Sequence, residues 1–227
     1  MPQKRVSAAE KARAEEVFTL LAREYPGVRC TLDYDGPFQL LVMTILAAQC
    51  TDARVNIVCR DLFRKYRGPA DFAAAPAGEL ERDILPCGFF NQKARCIRES
   101  SRMLLEEHGG EVPGDMDALL RLPGVGRKIA NAVMGECFGA QGVIVDTHCR
   151  RVAGRLGFTR NTDPGKIEQD LRRLWPPDRL TLFSHFMVFH GRAVCSARSP
   201  QCGACCVAEL CPKRGVNPAK PAKKKAT

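Results

Sequence analysis

The chain has 227 residues, enough for one or two compact domains with a sizeable hydrophobic core, and its 45% hydrophobic and 26% charged residues are ordinary for a globular protein. A formal charge of +10 is not ordinary and points to an anionic partner, nucleic acid being the usual one, although four of those charges (Lys220, Lys223, Lys224 and Lys225) crowd the last twelve residues. No apolar stretch approaches the ~18 residues of a membrane span, and the polar opening "MPQKRVSAAEKARAEEVF" lacks the apolar centre of a secretory signal, so a membrane partner is not expected and a cytoplasmic, intracellular location is. Twelve cysteines in such a chain argue for reduced thiols or metal ligands rather than disulfides.

Taken in order, the elements are helix after helix. Ser7 and Glu10 have capping-box spacing and open a helix that runs to about Glu24, before Tyr25-Pro26-Gly27. Pro37 starts a very apolar helix, "PFQLLVMTILAAQ", of the kind that lies buried. Asp52 could cap "ARVNIVCRDLFRKY", and "PADFAAAPAGELERDI" predicts two short helices. After the loop "LPCGFFN", "QKARCIRESSRMLLEEHGG" places Ala94, Ile97, Ser101 and Leu104 on one face and ends at Gly109. A short helix near 115–121, a Gly-Val-Gly turn and a helix to about Phe138 come next. "GVIV" at 142–145 is the one strand-like run, too short to build a sheet. Helices then resume at about Thr147–Leu156, Pro164–Trp175 (with Asp163 as cap) and Arg179–His190. The fold class is all-α, with no internal repeat and a low-complexity Pro/Lys/Ala tail.

Three motifs carry chemistry. "CSARSPQCGACCVAELC" sets Cys195, Cys202, Cys205 and Cys211 at C-x6-C-x2-C-x5-C, a spacing that can bring four thiolates to an iron–sulfur cluster, with structural zinc the alternative. Cys206, beside Cys205, should point away. Arg192, Arg198, Lys213 and Arg214 surround the segment, either as phosphate contacts or as a solvated basic face, with Arg198 the candidate DNA contact. In "RLPGVGRKIANAV", Gly124, Val125 and Gly126 join two short helices as a helix–hairpin–helix whose N–H groups can hold a DNA phosphate without reading bases. A plain helix–helix turn is the bland alternative.

Lys128 then falls at a helix start, where the macrodipole disfavours a cation. A lysine must be neutral to attack carbon, and burial together with the helix N-terminus would push its pKa down. Eighteen residues on, Asp146 stands between an extended run and a helix. It reads as an N-cap or as a carboxylate that stabilises developing positive charge on a sugar or moves a proton. Beside the lysine it would also raise the lysine's pKa.

Together, "LPGVGRKIAN", "VDTHCRRV", "HGRAVC" and the four-cysteine spacing resemble the endonuclease III family of base-excision DNA glycosylases, with "AAQCTD" and "GFFNQKA" similar to its other DNA-facing segments. The resemblance covers roughly residues 10–215. It implies two helical domains: a six-helix domain over 30–140 holding the helix–hairpin–helix, and residues 1–29 with 141–215 carrying a [4Fe-4S] cluster loop. A basic, disordered tail would occupy 216–227. It implies a monomeric, nucleoid-associated bifunctional enzyme acting on double-stranded DNA with a damaged pyrimidine or abasic site. Lys128 would attack the sugar and form a Schiff base, with Asp146 as the catalytic aspartate. Gln49 would fill the gap left by the extruded nucleotide, and Cys195, Cys202, Cys205 and Cys211 would hold the cluster.

Two positions depart from the family pattern. Phe89 stands where the wedge loop usually offers an aliphatic residue, either as an aromatic that stacks on the orphan base or as a tolerated swap while Phe90 packs inward. Cys50 replaces a small apolar residue with little expected consequence. The rival readings are an adenine-specific glycosylase, which would lack the lysine, and a non-catalytic DNA-binding scaffold, which would lose Lys128 or Asp146.

Overall fold

The computed structural model describes residues 6–140 and 142–216. Among them there are eleven α-helices, three short 3₁₀ turns and no strand. Residues 142–145 are extended but pair with nothing in a sheet. The described residues fall into two compact units, one spanning Arg29–Ile144 and the other drawn from Met1–Val28 and Val145–Thr227. The lysine-rich tail lies, from residue 217 on, outside the described residues.

The Arg29–Ile144 unit contains α2 (Pro37–Leu46), α3 (Asp52–Lys65), α4 (Pro69–Ala74), α5 (Glu79–Asp83), α6 (Phe90–His108), α7 (Met116–Arg121) and α8 (Arg127–Cys137). The two short helices expected of "PADFAAAPAGELERDI" are α4 and α5, separated at Ala75-Pro76-Ala77, so the unit holds seven helices where the family resemblance implies six. Helix α2 is apolar nearly all round and is correspondingly central, with Leu40, Leu41, Val42, Met43, Ile45 and Leu46 all buried. Phe72 is fully buried and meets Phe38, Phe63 and Tyr66, the last stacked at 4.9 Å. The stripe expected on α6 faces this core: Ala94, Ile97, Ser101 and Leu104 are buried.

One cap differs from the sequence-based expectation. Thr51, not Asp52, is the N-cap of α3, its hydroxyl accepting from the Arg54 N–H at 3.3 Å. Asp52 instead accepts a 2.6 Å hydrogen bond from the Thr31 hydroxyl, a partner twenty-one residues away.

The other unit contains α1 (Ala8–Glu24), α9 (Thr147–Arg155), α10 (Pro164–Arg172) and α11 (Leu180–Ala193). The capping box of α1 forms as the spacing predicts. Its buried face, Ala14, Val17, Phe18 and Leu21, meets α11, where Phe186 packs edge-on against Phe18 at 5.3 Å. Helix α10 ends at Arg172, short of Trp175; that indole leaves the helix to stack on Phe183 at 4.0 Å and meet Phe158 edge-on. Pro176 and Pro177 then prevent the helix from resuming before α11.

Candidate functional site

The hairpin between α7 and α8 is built from Leu122 to Gly126. Asp115 caps α7 by accepting from the Ala118 N–H at 2.8 Å, and the Val125 N–H donates to the Leu122 carbonyl at 3.0 Å to close the turn. Val125 is buried, so it anchors the hairpin rather than meeting solvent. The two glycines serve different needs. Gly124 has φ +80°, and a Cβ there would lie 2.8 Å from Cβ of Cys96 on α6. Gly126 has an ordinary backbone and open space where a Cβ would go. It is the N-cap of α8 with no side-chain cap, so the helix start keeps N–H groups available to an anion.

Lys128 is the second residue of α8 and is exposed. The burial expected to help deprotonate it is absent, because α8 turns Ala130, Asn131, Val133 and Met134 to the core and Lys128 away from it. Three residues along the helix, buried Asn131 donates from Nδ2 to the Val143 carbonyl at 3.0 Å, which ties the extended run to α8.

Asp146 is the N-cap of α9 and accepts from the Cys149 N–H at 2.7 Å. The capping role therefore exists, and it uses one carboxylate oxygen, Oδ1.

Two further segments of the Arg29–Ile144 unit share an unusual backbone. Gln49 (φ 54°) and Phe89 (φ 48°) are both left-handed non-glycine residues. Each such residue costs about 1–3 kcal/mol, and this kind of strain collects at functional sites. Gln49 is exposed, and Phe89 is 60% exposed while Phe90 packs against the core. An amide and an aromatic ring are thus exposed at left-handed positions on two separate loops.

In the other unit, Cys195, Cys202, Cys205 and Cys211 line one pocket, walled by Val152, Leu156, Val194 and Val207, and Cys206 is not among its lining. Four soft sulfur donors around an apolar space fit a cluster with one thiolate per iron. Among the described residues no group of His, Cys, Asp and Glu could hold a single metal ion, and the ligands of a four-iron cluster do stand further apart than those of one ion.

Polar groups that the sequence did not single out organise this pocket. Arg155, buried on α9, donates to the Ser196 carbonyl at 2.6 Å, the Ala197 carbonyl at 2.8 Å and Cys195 Sγ at 3.3 Å. Arg151, one turn earlier, donates to the Cys195 carbonyl at 3.1 Å and the Gly191 carbonyl at 2.9 Å. Buried His190 lies 3.4 Å from Cys205 Sγ through Nε2 and 2.9 Å from the Tyr25 hydroxyl through Nδ1. The i, i+4 arginine pair in "CRRVAGR" was the available signal. Arg198 and Lys213 are exposed on the loop, whereas Arg214 turns back to the Gly157 carbonyl at 3.4 Å.

These features define a helix–hairpin–helix protein with a four-cysteine loop, and comparison with known proteins agrees. Residues 42–177 match the HhH-GPD superfamily of base excision DNA repair proteins, and residues 195–211 match the iron–sulfur binding domain of endonuclease III. Endonuclease III of Synechocystis sp. is 49% identical over 209 residues, covering 92% of this chain and 95% of that one. The Bacillus subtilis endonuclease III is 44% identical over 82% of this chain and 86% of its own. A solved structure of a trapped endonuclease III–DNA covalent intermediate has a TM-score of 0.85 at 43% identity, covering 89% of this chain and 96% of that one.

The chain belongs to the endonuclease III family: it is a base excision repair DNA glycosylase with AP lyase activity, it binds DNA, and it carries a [4Fe-4S] cluster. No helix among the described residues is long and apolar enough to cross a membrane.

Proposed function

We propose that the protein excises oxidised pyrimidines of the thymine glycol type from duplex DNA, then cuts the strand 3′ to the abasic site by β-elimination. The observation that carries this reading is Lys128 in the first turn of α8, directly after an N-terminus that no side chain caps. A phosphate held on those N–H groups brings a nearby sugar within reach of an amine on the same helix. A related endonuclease III captured as a covalent intermediate with DNA supports a covalent route here.

In this scheme the neutral Lys128 amine attacks C1′, the bond from C1′ to the base breaks, and its electron pair leaves with the base as the base gains a proton. Ring opening gives the Schiff base. Loss of a 2′ proton then expels the 3′ phosphate. The Asp146 carboxylate stabilises positive charge on the sugar and takes part in the proton transfers.

Gln49 fills the space of the extruded nucleotide, and Phe89 stacks on the orphan base, offsetting a flipping cost of about a few kcal/mol. Gly124, Val125 and Gly126 present the phosphate site, and Arg198 adds a phosphate contact from the cysteine loop. Cys195, Cys202, Cys205 and Cys211 are the ligands of the cluster, which holds the loop in shape. The helix–hairpin–helix domain and the cluster domain correspond to the two compact units, and the enzyme acts as a monomer where the cell keeps its DNA.

Borohydride trapping on a duplex holding one thymine glycol, with Lys128→Ala alongside, tests the scheme. A covalent complex with the parent and none with the variant is expected. Trapping on a plain abasic site alone would keep the lyase and remove the oxidised-pyrimidine substrate, and trapping by Lys128→Ala would remove the nucleophile.

A further inference from the structure

Lys93 is a buried cation that neither the hairpin, the Lys–Asp chemistry nor the cluster uses. It is 5% exposed, on the first turn of α6. Its Nζ donates to the Leu46 carbonyl at 2.7 Å and to the Cys87 carbonyl at 2.9 Å. Leu46 is the last residue of α2, and Cys87 is the last residue of the 3₁₀ turn Leu85–Cys87. One ammonium therefore sits on the C-terminal carbonyls of two separate elements, where the partial negative charge of a helix end favours a cation.

Each of these carbonyls leads directly into a strained loop. Three residues beyond Leu46 comes left-handed Gln49, and two beyond Cys87 comes left-handed Phe89. The Lys93 backbone N–H also donates to the Phe89 carbonyl at 3.0 Å. Burying an ammonium costs free energy that a methionine of similar length would avoid. Burial indeed pushes the Lys93 pKa below the usual lysine range. A side chain needed only to fill space would be apolar.

We infer that Lys93 is a positioning residue that locks the Gln49 and Phe89 loops to each other, so that both side chains are held ready to enter the duplex together. The inference rests on the roles proposed above for Gln49 and Phe89. Holding both loops on one group removes independent motions that would otherwise be lost on binding. The lock matters only where there is a stacked nucleotide to replace and an opposite base to support. An abasic site in single-stranded DNA presents neither.

The test compares the parent with Lys93→Met, each checked for native circular dichroism and cluster absorbance. Three readings are taken: single-turnover excision of thymine glycol from duplex, cleavage of a single-stranded abasic oligonucleotide, and fluorescence of 2-aminopurine placed opposite a stable abasic analogue. For Lys93→Met, excision should slow by about 10- to 100-fold, as expected for misplaced groups, while single-strand cleavage stays within about two-fold. The 2-aminopurine change on binding should fall in step with excision. Equal losses in both reactions, undiminished excision or an unchanged 2-aminopurine response would each overturn the inference. If the parent cleaves neither substrate, the proposed function falls, and the 2-aminopurine comparison still decides the lock because it requires no chemistry. Should Lys93→Met not fold, Lys93→Arg keeps a cation on the two carbonyls. A parent-like fluorescence response would support the lock, and a folded Arg variant without one would overturn it.

Discussion

Asp146 holds the start of α9 with one oxygen, and the proposed chemistry needs a charge on the same carboxylate. The two demands separate in Asp146→Asn, because asparagine caps a helix about as well as aspartate but cannot stabilise a cation or take a proton. The variant should keep its thermal stability to within about 0.5 kcal/mol and lose about 100-fold or more in excision rate. Calorimetry beside single-turnover kinetics reads both, and a variant that melts early without losing rate would leave Asp146 as a cap alone. Lys128 presents the complementary case. Lys128 is exposed, so in the proposed scheme it is the bound DNA, not the protein, that displaces water from its amine. The type and position of Lys128 were legible in "GVGRK"; its exposure was not, because that depends on which side of α8 the core selects.

At the scale of elements, the hairpin shows how one sequence pattern hides two physical roles. Gly-Val-Gly reads as sharp bend or close approach; Gly124 has the left-handed backbone of the bend, and Gly126 has open space where a Cβ would go, which suits the proposed close approach of a phosphate. Gly124→Ala would combine a left-handed backbone with a contact against Cys96 Cβ, an atom with no flexible chain to swing away. It should cost about 2 kcal/mol or more of stability. Gly126→Ala meets open space and should change stability by less than about 1 kcal/mol, yet its methyl would stand at the proposed phosphate site and should weaken duplex binding about ten-fold. Denaturant melts and a binding titration on both variants would show the crossed pattern; parallel losses would argue against it. The same split governs what was legible elsewhere. Signals carried within one or two turns, such as the Ser7–Glu10 box and the α6 stripe, read correctly from sequence. Those that depend on a distant partner did not: Asp52 drawn to Thr31, Trp175 pulled out of α10 by Phe183, Lys93 placed on the Leu46 carbonyl. The left-handed Gln49 and Phe89 are the extreme case, since local propensity argues against that backbone and only the assembled loops hold it.

Across the whole molecule, the two units differ in what holds them. Arg29–Ile144 has a continuous apolar core that runs from Leu32 to Met134. The loop itself is poor in such material: between Cys195 and Cys211 only Val207 is buried, and its one regular element is the three-residue turn Cys202–Ala204. What orders it is polar. Arg155 and Arg151 hold its start, His190 meets Cys205, and Arg13 on α1 donates to the Leu210 carbonyl at 3.0 Å and the Leu156 carbonyl at 2.9 Å. Those bonds need the loop in one shape, and a segment with so little to bury should depend on its metal centre as well as on them to keep it. Removing the iron by oxidation and chelation should therefore release the loop and leave the carbonyl-bound faces of Arg151 and Arg155 without their acceptors. Amide hydrogen exchange on the iron-free protein should show α9 and residues 195–211 losing protection, while Ile97 and Leu104 in α6 keep theirs. Uniform loss through both units would mean that the cluster supports the entire fold, and unchanged protection in α9 would mean that the arginines hold the loop unaided.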